Sequence, residues 1–275
     1  MEKAGTRFNF LLAALAVTAG LSSATAARAE KISQNTVFSV RFSGIPVGTA
    51  NFNIELDNDR YEVKANGKTA GIVDMFAPGR GEATSAGAVR PDTVLSSINQ
   101  VVYSGKDEKS TLDMTFVDGT VDKVDLKTNK PKDKSGPKWI PVKPEDLKAV
   151  IDPASTLVIP VPPQEANNGH KVCDRTLNIY DGDARYNMAL TYKRTQLVKT
   201  DGYGGYAYVC KLKYVPISGH KRGQKNIKYM AANEGMELWL APIAKRPVFT
   251  VIRVEVPTWL GQVTALPVKF RSNAQ

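Results

Sequence analysis

Residues 177–192 read LNIYDGDARYNMALTY, and this stretch decides the fold class. Apolar side chains alternate with polar ones on both sides of Asp181-Gly182, which is typical of two β-strands joined by a tight turn. The alternation resumes over residues 206–214. Three such segments in succession predict an antiparallel meander, in which each strand pairs with the next.

The same alternation recurs along most of the chain, whereas helical patterns are rare. Further strands are predicted over residues 38–42, 52–56, 61–65, 112–116, 236–240 and 248–256. Short helical segments are predicted only at residues 71–76 and 144–151. Strands that alternate in this way bury one face and expose the other. The sequence therefore predicts a mainly β protein, built as a large antiparallel curled sheet or open barrel, β-spiral-like, with one or two short helices.

A basic, proline-rich segment, residues 123–143, interrupts the strand pattern. It holds seven lysines and three prolines, a composition typical of connections. We interpret it as an exposed loop that joins two halves, roughly residues 33–122 and 145–270. Because neither half holds enough strands to close a barrel alone, residues 30–275 are predicted to form a single domain.

The first 29 residues have the features of an export signal. Lys3 and Arg7 give a positive start, residues 8–21 are apolar, and Ala27-Arg28-Ala29 fits a signal-peptidase cleavage pattern. The apolar run is too short to span a bilayer comfortably, which argues against a membrane anchor. We therefore expect a periplasmic protein, exported by a removable signal peptide, with no transmembrane segment in the mature chain.

Cleavage is expected between Ala29 and Glu30, with the pattern Ala24-Thr25-Ala26 as the alternative. The intact mass of the exported protein should therefore equal that of a chain that begins at Glu30. A mass that still includes Met1 would contradict export by cleavage.

The net charge narrows the choice of partners. The full chain carries a formal charge of +10, and removing the three cations and one acid of the signal leaves about +8. A positive protein in the cell envelope meets anionic lipid, lipopolysaccharide and peptidoglycan. Ordinary solubilising charge is the alternative, and the chain has no nucleic-acid-binding motif. The expected partner is a lipid or another envelope component, and not a nucleic acid.

One basic stretch, residues 219–228, is a candidate contact for an anionic surface. Gly219 and Gly223 predict an exposed loop there. Its cations are Lys221, Arg222, Lys225 and Lys228. The alternative is a solvated loop that has no partner.

Cys173 and Cys210 are the only cysteines, and an even count in an exported chain indicates a disulfide. Next-but-one strands lie about 9.5 Å apart, whereas a disulfide needs Cα atoms within about 7 Å. Cys173 must therefore lie off the regular ladder, before its strand begins. The two histidines, His170 and His220, could complete a zinc site with the cysteines, but an oxidising compartment favours the disulfide. We expect neither a metal nor a cofactor.

Catalytic patterns are missing from the sequence. There is no G-x-S-x-G, no H-E-x-x-H and no phosphate-binding glycine loop before a helix. The acidic pairs Asp181 with Asp183 and Glu145 with Asp146 lie in a predicted turn and a predicted first helical turn, where acids are expected for local reasons. The sequence therefore favours a protein that is not an enzyme.

Five tyrosines occur at strand spacing in the second half: Tyr186, Tyr192, Tyr206, Tyr208 and Tyr214. Aromatic side chains on strand faces commonly fill the core and its rim. The alternative, which makes them candidate ligand-binding residues, is that they line an apolar cavity with their hydroxyls at its mouth.

Several motifs, taken in order, resemble the bacterial envelope family called domain of unknown function 3108. They are residues 42–48 (FSGIPVG), Ile151-Asp152-Pro153-Ala154-Ser155, Cys173, residues 179–186 (IYDGDARY), residues 202–206, Cys210, residues 214–220 (YVPISGH), residues 236–240 (MELWL) and Arg246-Pro247. The resemblance covers most of the mature chain. It implies an exported β-rich protein and brings no catalytic residues. In shape, such proteins resemble curled-sheet carriers such as the periplasmic lipoprotein chaperones.

Together these features predict a non-enzymatic envelope protein whose curled sheet binds a lipid-like or other apolar ligand, or an acylated segment of a partner. The alternative is a structural or interaction module that supports envelope integrity through surface contacts and has no ligand cavity. A hollow interior would favour the first, and a filled interior the second.

Overall fold

The computed structural model describes residues 31–244 and 246–274. The predicted signal peptide and its cleavage site, Ala29 and Glu30, lie outside the described residues. Within them, fourteen strands form one large antiparallel sheet that curls without closing, which confirms the predicted fold class.

Most of the strands follow one another as hairpins. In chain order they are β1 (Ile32–Phe42), β2 (Ile45–Asp57), β3 (Arg60–Thr69), β4 (Gly79–Val89), β5 (Val94–Gly105), β6 (Lys109–Val117), β7 (Thr120–Thr128), β8 (Trp139–Ile140), β9 (Ile159–Pro160), β10 (Arg175–Tyr180), β11 (Arg185–Lys199), β12 (Gly204–Ser218), β13 (His220–Lys221), β14 (Glu237–Pro242), β15 (Val248–Thr258) and β16 (Gly261–Ser272). β8 and β13 pair only with each other, and β9 pairs only with β15.

The first and last strands meet in the middle of the large sheet. Its order is β10-β11-β12-β14-β15-β16-β1-β2-β3-β4-β5-β6-β7, so the second half runs directly into the first. β1 carries register shifts at Val37/Phe38 and at Val40/Arg41. Such bulges add local twist, which helps so long a sheet to curl.

The segment that links the halves joins the two edges of the sheet. The Ile151 amide donates to the Asn178 carbonyl of β10 (2.9 Å), and the Tyr180 amide donates back to Ile151 (3.0 Å). On the other side, the Val150 amide donates to the carbonyl of Gly119, in the β6–β7 turn (2.9 Å). We call residues 149–161 the central segment, because it bridges the opening between β10 and β7.

Within residues 31–244 and 246–274, three α-helices connect the strands. The helical turn predicted at residues 71–76 is present as α1 (Gly71–Phe76), whereas the helix predicted from residue 144 is only a 3-10 turn, Pro144–Leu147. Helices α2 (Gly169–Cys173) and α3 (Lys225–Ala232) were not predicted. Among the described residues, no helix combines the length and the apolar character needed to cross a bilayer.

The basic connection between the halves is shorter than predicted. β7 extends to Thr128 and β8 begins at Trp139, so residues 123–128 lie in a strand. The remaining loop is tied down at Asp183, whose carboxylate pairs with Lys132 and, at 2.8 Å, with Lys134.

The predicted disulfide between Cys173 and Cys210 is present, with Cα atoms 5.5 Å apart. β10, β11 and β12 form the predicted meander. Cys173 ends α2, just before β10 begins, and Cys210 lies in β12. The bond therefore reaches past β11 from a helix, which is the off-ladder position that strand spacing requires.

Candidate functional site

The inner face of the first half carries large apolar side chains toward one end and small residues toward the other. The side chains in register across β1–β4 show this gradient. Near the β2–β3 turn the inward residues include Ile32, Leu56, Tyr61, Ile54 and Val63, all buried. Near the β1–β2 turn they are Gly48, Ala50, Gly67, Gly79 and Gly81. We call the second region the β1–β2 end.

A buried carboxylate fastens the central segment to the inner face. Asp152 is fully buried, and its Oδ2 accepts hydrogen bonds from the hydroxyls of Ser85 (2.8 Å), Ser96 (2.7 Å) and Ser155. Its Oδ1 accepts from Asn99 Nδ2 (3.0 Å) and from the amide of Ser155 (3.1 Å). The network links β4 and β5 to the central segment and leaves this carboxylate fully engaged.

The Tyr61 hydroxyl completes this network from β3. It lies 2.5 Å from Ser155 Oγ and 3.5 Å from Ser96 Oγ. Burial is the main cause that raises the pKa of Tyr61, and the negative charge of Asp152 adds to it. The phenol therefore stays protonated. All the side chains of the cluster are buried, and their hydrogen bonds join β3, β4 and β5 to the central segment.

An apolar cavity of about 500 Å³ lies at the β1–β2 end. Its size falls within the roughly 300–1,000 Å³ typical of small-molecule sites. Most of its lining is apolar and comes from β1, β2, α1 and β16. The apolar side chains are Val40, Phe42, Val47, Val73, Ala77 and Val263, and the ring of Tyr103, from β5, adds to them.

Glycines on facing strands leave this space open. Gly67 and Gly81 are direct partners in the β3–β4 register and both line the cavity. A Cβ added at Gly67 would come no closer than 3.4 Å to another atom, and one added at Gly81 no closer than 3.6 Å. Crowding therefore does not require glycine at these two positions. Their lack of side chains leaves the cavity volume unfilled.

Helix α1 covers part of the cavity and is held at both ends. The Ala70 amide, just before the helix, donates to the Val47 carbonyl (2.9 Å). The Thr69 hydroxyl donates to Asp74 Oδ1 (2.6 Å) and accepts from the amide of Gly79, which begins β4 (2.9 Å). These contacts position Val73 and Ala77 in the lining.

Lys68 and Arg80 contribute atoms to the lining, but they alternate with Gly67, Gly79 and Gly81 along β3 and β4. Their side chains therefore leave the opposite face of the sheet, where both residues line a neighbouring polar groove. They are exposed and stand directly opposite each other in the β3–β4 register. Within the described residues neither forms an ion pair. Like charges at directly opposed strand positions are unfavourable. A bound anion beside them would relieve that repulsion.

The five tyrosines singled out in the sequence do not meet at one site. Tyr186 packs on Tyr214, with ring centroids 5.3 Å apart, and Tyr192 packs on His170 of α2 at 4.6 Å. Burial raises the pKa of Tyr186 and Tyr214.

Tyr206 and Tyr208 line a separate groove of about 480 Å³ together with Phe249. The Tyr208 hydroxyl donates to the Ala166 carbonyl (3.2 Å). None of the five tyrosines lines the cavity at the β1–β2 end. The role of the five tyrosines in ligand binding stays a prediction, and only Tyr206 and Tyr208 among them line this second groove.

The four predicted basic residues occupy different elements. Lys221 lies in β13 and pairs with Asp133 (3.2 Å), whose pKa is lowered to about 2 by hydrogen bonds from Ser135 and by Lys221. Arg222 follows in a turn, and Lys225 and Lys228 lie on α3. The predicted exposed loop is therefore partly helical, although all four side chains are exposed.

The acidic pairs weighed in the sequence have local structural partners. Asp181 Oδ1 accepts from the amides of Asp183 (3.0 Å) and Ala184 (2.7 Å), and burial raises the pKa of Asp181. Asp146 Oδ2 accepts from the Lys143 amide (3.0 Å), which lowers the pKa of Asp146. Both carboxylates hold turns.

Glu145 and the two histidines also have no metal-site geometry among the described residues. The Glu145 carboxylate lies 3.7 Å from Lys143 Nζ. His170 Nδ1 lies 2.7 Å from Asp174 Oδ2, and His220 sits in β13.

Sequence comparison decides the family. The profile described as "Protein of unknown function (DUF3108)" matches residues 37–266. The chain belongs to the DUF3108 family. This confirms the resemblance drawn from the ordered motifs, and the matched range includes the central segment, both cysteines and the cavity lining. No curated protein sequence matches the chain closely enough to count as a relative.

One solved structure is similar to this DUF3108 protein. It is a β-barrel-like protein of domain of unknown function DUF1849 from Brucella abortus, with 11% sequence identity and a TM-score of 0.49. The alignment covers 89% of this chain and 99% of the other.

Sequence reasoning missed both the Asp152 cluster and the cavity. The signal for the first was present, because Ser85 and Asn99 are polar residues at inward positions of β4 and β5, and Asp152 lies in the quoted family motif. The signal for the second was the row of small residues, with Gly67 and Gly81 at strand positions that otherwise carry apolar side chains.

Proposed function

We propose that this protein is a non-enzymatic periplasmic protein that binds an acyl chain carrying an anionic head group. The observation that carries the proposal is the apolar cavity at the β1–β2 end. Apolar side chains from four elements would surround the chain, and the adjoining polar groove holds Lys68 and Arg80, which form no ion pair within the described residues. Burying the methylenes would stabilise the complex by about 0.8 kcal/mol each.

The charge arrangement supports an anionic head group over a neutral one. Lys68 and Arg80 repel each other across β3 and β4, so a carboxylate or phosphate between them would gain from both cations. The acidic residue in the neighbouring groove, Asp74, is already engaged by the Thr69 hydroxyl. Fatty acids and phospholipids share this chemistry, and mass spectrometry of lipid that co-purifies with the protein distinguishes them.

A structural module is the second candidate, and the filled part of the interior favours it. The Asp152 cluster and the central segment occupy the inner face beside the cavity. If that packing were the whole role of the fold, the protein would bind no acyl chain, and filling the cavity would have no consequence. The following substitution separates the two candidates.

Replacing Gly81 with leucine should abolish binding of a fluorescent fatty acid without harming the fold. The side chain would enter the cavity, and the nearest atom to the new Cβ is 3.6 Å away, an ordinary contact. Because glycine weakens a strand interior, the melting temperature of the variant should equal or exceed that of the parent. Fluorescence titration measures the affinity, which should fall by roughly tenfold or more as the methylene burial is lost.

Gly204→Leu is the matched control. Gly204 is also a strand glycine, and a Cβ there would meet nothing within 4 Å, but it begins β12 and lies outside the cavity. This variant should bind the fatty acid as the parent does. No binding by the parent would leave the structural module as the function. Equal binding by the parent and by Gly81→Leu would mean that the fatty acid binds outside this cavity, which would contradict the proposal.

A further inference from the structure

The hairpin tip between β15 and β16, which carries two exposed apolar side chains, lies next to the cavity. Thr258 pairs with Gly261, so Trp259 and Leu260 alone form the loop between β15 and β16. Three other two-residue hairpin loops of this sheet have ordinary turn formers: Ser43-Gly44, Asn58-Asp59 and Asp118-Gly119. Trp259 is 79% exposed and Leu260 is 65% exposed. Neither turn chemistry nor the core accounts for these two side chains.

Further exposed apolar residues come from neighbouring connections at the same end. The Ser43 amide donates to the Gln262 carbonyl (2.7 Å), so the β1–β2 turn adjoins the β15–β16 tip. Ile45 follows that turn and is 60% exposed. Helix α1 begins beside β2 and presents Met75 (78% exposed) and Phe76 (69% exposed). Singly exposed apolar residues are common, but a group this size on adjacent tips marks a contact surface.

Cations flank this surface. Helix α3 lies against the end of β15, where Asn233 Nδ2 donates to the Pro257 carbonyl (2.7 Å). Its exposed Lys225 and Lys228 form no ion pair within the described residues. On the other side stand Lys68 and Arg80. The exposed acids beside these cations, Asp74, Glu82 and Glu234, are fewer than the four cations.

We propose that this end of the sheet docks on an anionic lipid bilayer, with Trp259, Leu260, Met75 and Phe76 inserted at the interface and the flanking cations on the head groups. Exposed aromatic and aliphatic tips that stand among lysines suit the membrane interface, where one side of the contact is apolar and the other is charged. The docking uses outward-facing tips and needs no ligand in the cavity. Its test is therefore independent of the test of the proposed function.

The test uses the protein that begins at Glu30, since every described contact lies within residues 31–274. It should co-sediment with vesicles of phosphatidylcholine mixed with phosphatidylglycerol. Binding should be weaker to phosphatidylcholine alone and should fall as salt screens the cations. Replacing Trp259 and Leu260 with serine should lower the partition coefficient by roughly tenfold or more, because two large apolar groups no longer enter the interface.

The pair Leu197→Ser with Val117→Ser is the matched control. These residues are 63% and 61% exposed, but they lie by the β11–β12 and β6–β7 turns, at the opposite end of the sheet. This double variant should bind vesicles as the parent does. If both double variants lowered vesicle binding to the same extent, the binding would be a nonspecific effect of exposed apolar residues, and the proposal would be overturned.

Tryptophan fluorescence provides a second readout. Trp239 is buried, and replacing the half-buried Trp139 with phenylalanine leaves Trp259 as the exposed reporter. Its emission should shift to the blue when anionic vesicles are added. Two results would overturn the proposal. One is no shift and no sedimentation, and the other is a stable dimer that Trp259→Ser with Leu260→Ser converts to monomer while vesicles have no effect.

Discussion

Replacing Asp152 with alanine should lower the free energy of unfolding by roughly 3–5 kcal/mol. The substitution leaves three buried serine hydroxyls, the Asn99 amide and two backbone amides without their common acceptor. A buried donor that loses its acceptor costs about 1–3 kcal/mol. The hydroxyls can still bond to one another around Ser155, which keeps the total below the simple sum. Urea denaturation followed by circular dichroism measures the loss.

Ser85→Ala is the control for this substitution. It removes one donor and keeps the acceptor, which still has its other partners, so the cost should be about 1 kcal/mol. Asp152→Ala should therefore be several times more harmful than Ser85→Ala, although both alter the same hydrogen bond. Comparable losses in the two variants would show that the carboxylate does not organise the cluster.

The position of Asp152 explains why its replacement should lower the stability of the whole fold. The sheet is open, and its edge strands β7 and β10 do not pair with each other. The central segment bridges them, with hydrogen bonds to Gly119 on one side and Asn178 on the other. Asp152 adds the contact to the inner face. Losing it would free the segment that keeps the curl of the sheet in place.

Alternation allowed most of the strands to be predicted from the sequence. Ile54 and Leu56, for example, are buried while Asn53 and Glu55 are not, which is the period-two pattern of a half-buried strand. Hairpin partners followed from turns such as Asp118-Gly119. The pairing of β16 with β1 could not be predicted in this way, because it joins residues more than 220 positions apart with no turn between them.

Helix α3 and the cavity could not be predicted from sequence patterns, because both depend on contacts between residues that are distant in sequence. The lysines and glycines of residues 219–228 indicate a loop by composition, yet α3 begins at Lys225 and is fixed by contacts to Pro257 that are distant in sequence. The cavity depends on Gly67 and Gly81 facing each other, and that register appears only when β3 and β4 are paired. The tyrosines drew attention because they are large, whereas the open space lies where residues are small.

Replacing both Cys173 and Cys210 with alanine should lower the stability by about 4 kcal/mol, the chain-entropy estimate for a loop of this length. Alanine is preferred to serine because both positions are fully buried, and a hydroxyl there would need a partner. For a domain of this size, that loss corresponds to a fall of about 10 °C in Tm. Differential scanning calorimetry checks the value, and the β signal in circular dichroism should remain.

The location of the bond sets the control for this last prediction. Cys173 and Cys210 pack in the core cluster of the second half, with Val172, Leu190 and Leu212, whereas all the residues that line the cavity except Val263 belong to the first half. The double variant should therefore keep the parent's affinity for the fluorescent fatty acid at temperatures below its melting transition. Reduction of the parent protein should reproduce the same loss of stability, because it opens the same loop. Two free thiols on protein taken directly from the envelope fraction, labelled under denaturing and non-reducing conditions, would show that the bond does not form in the cell.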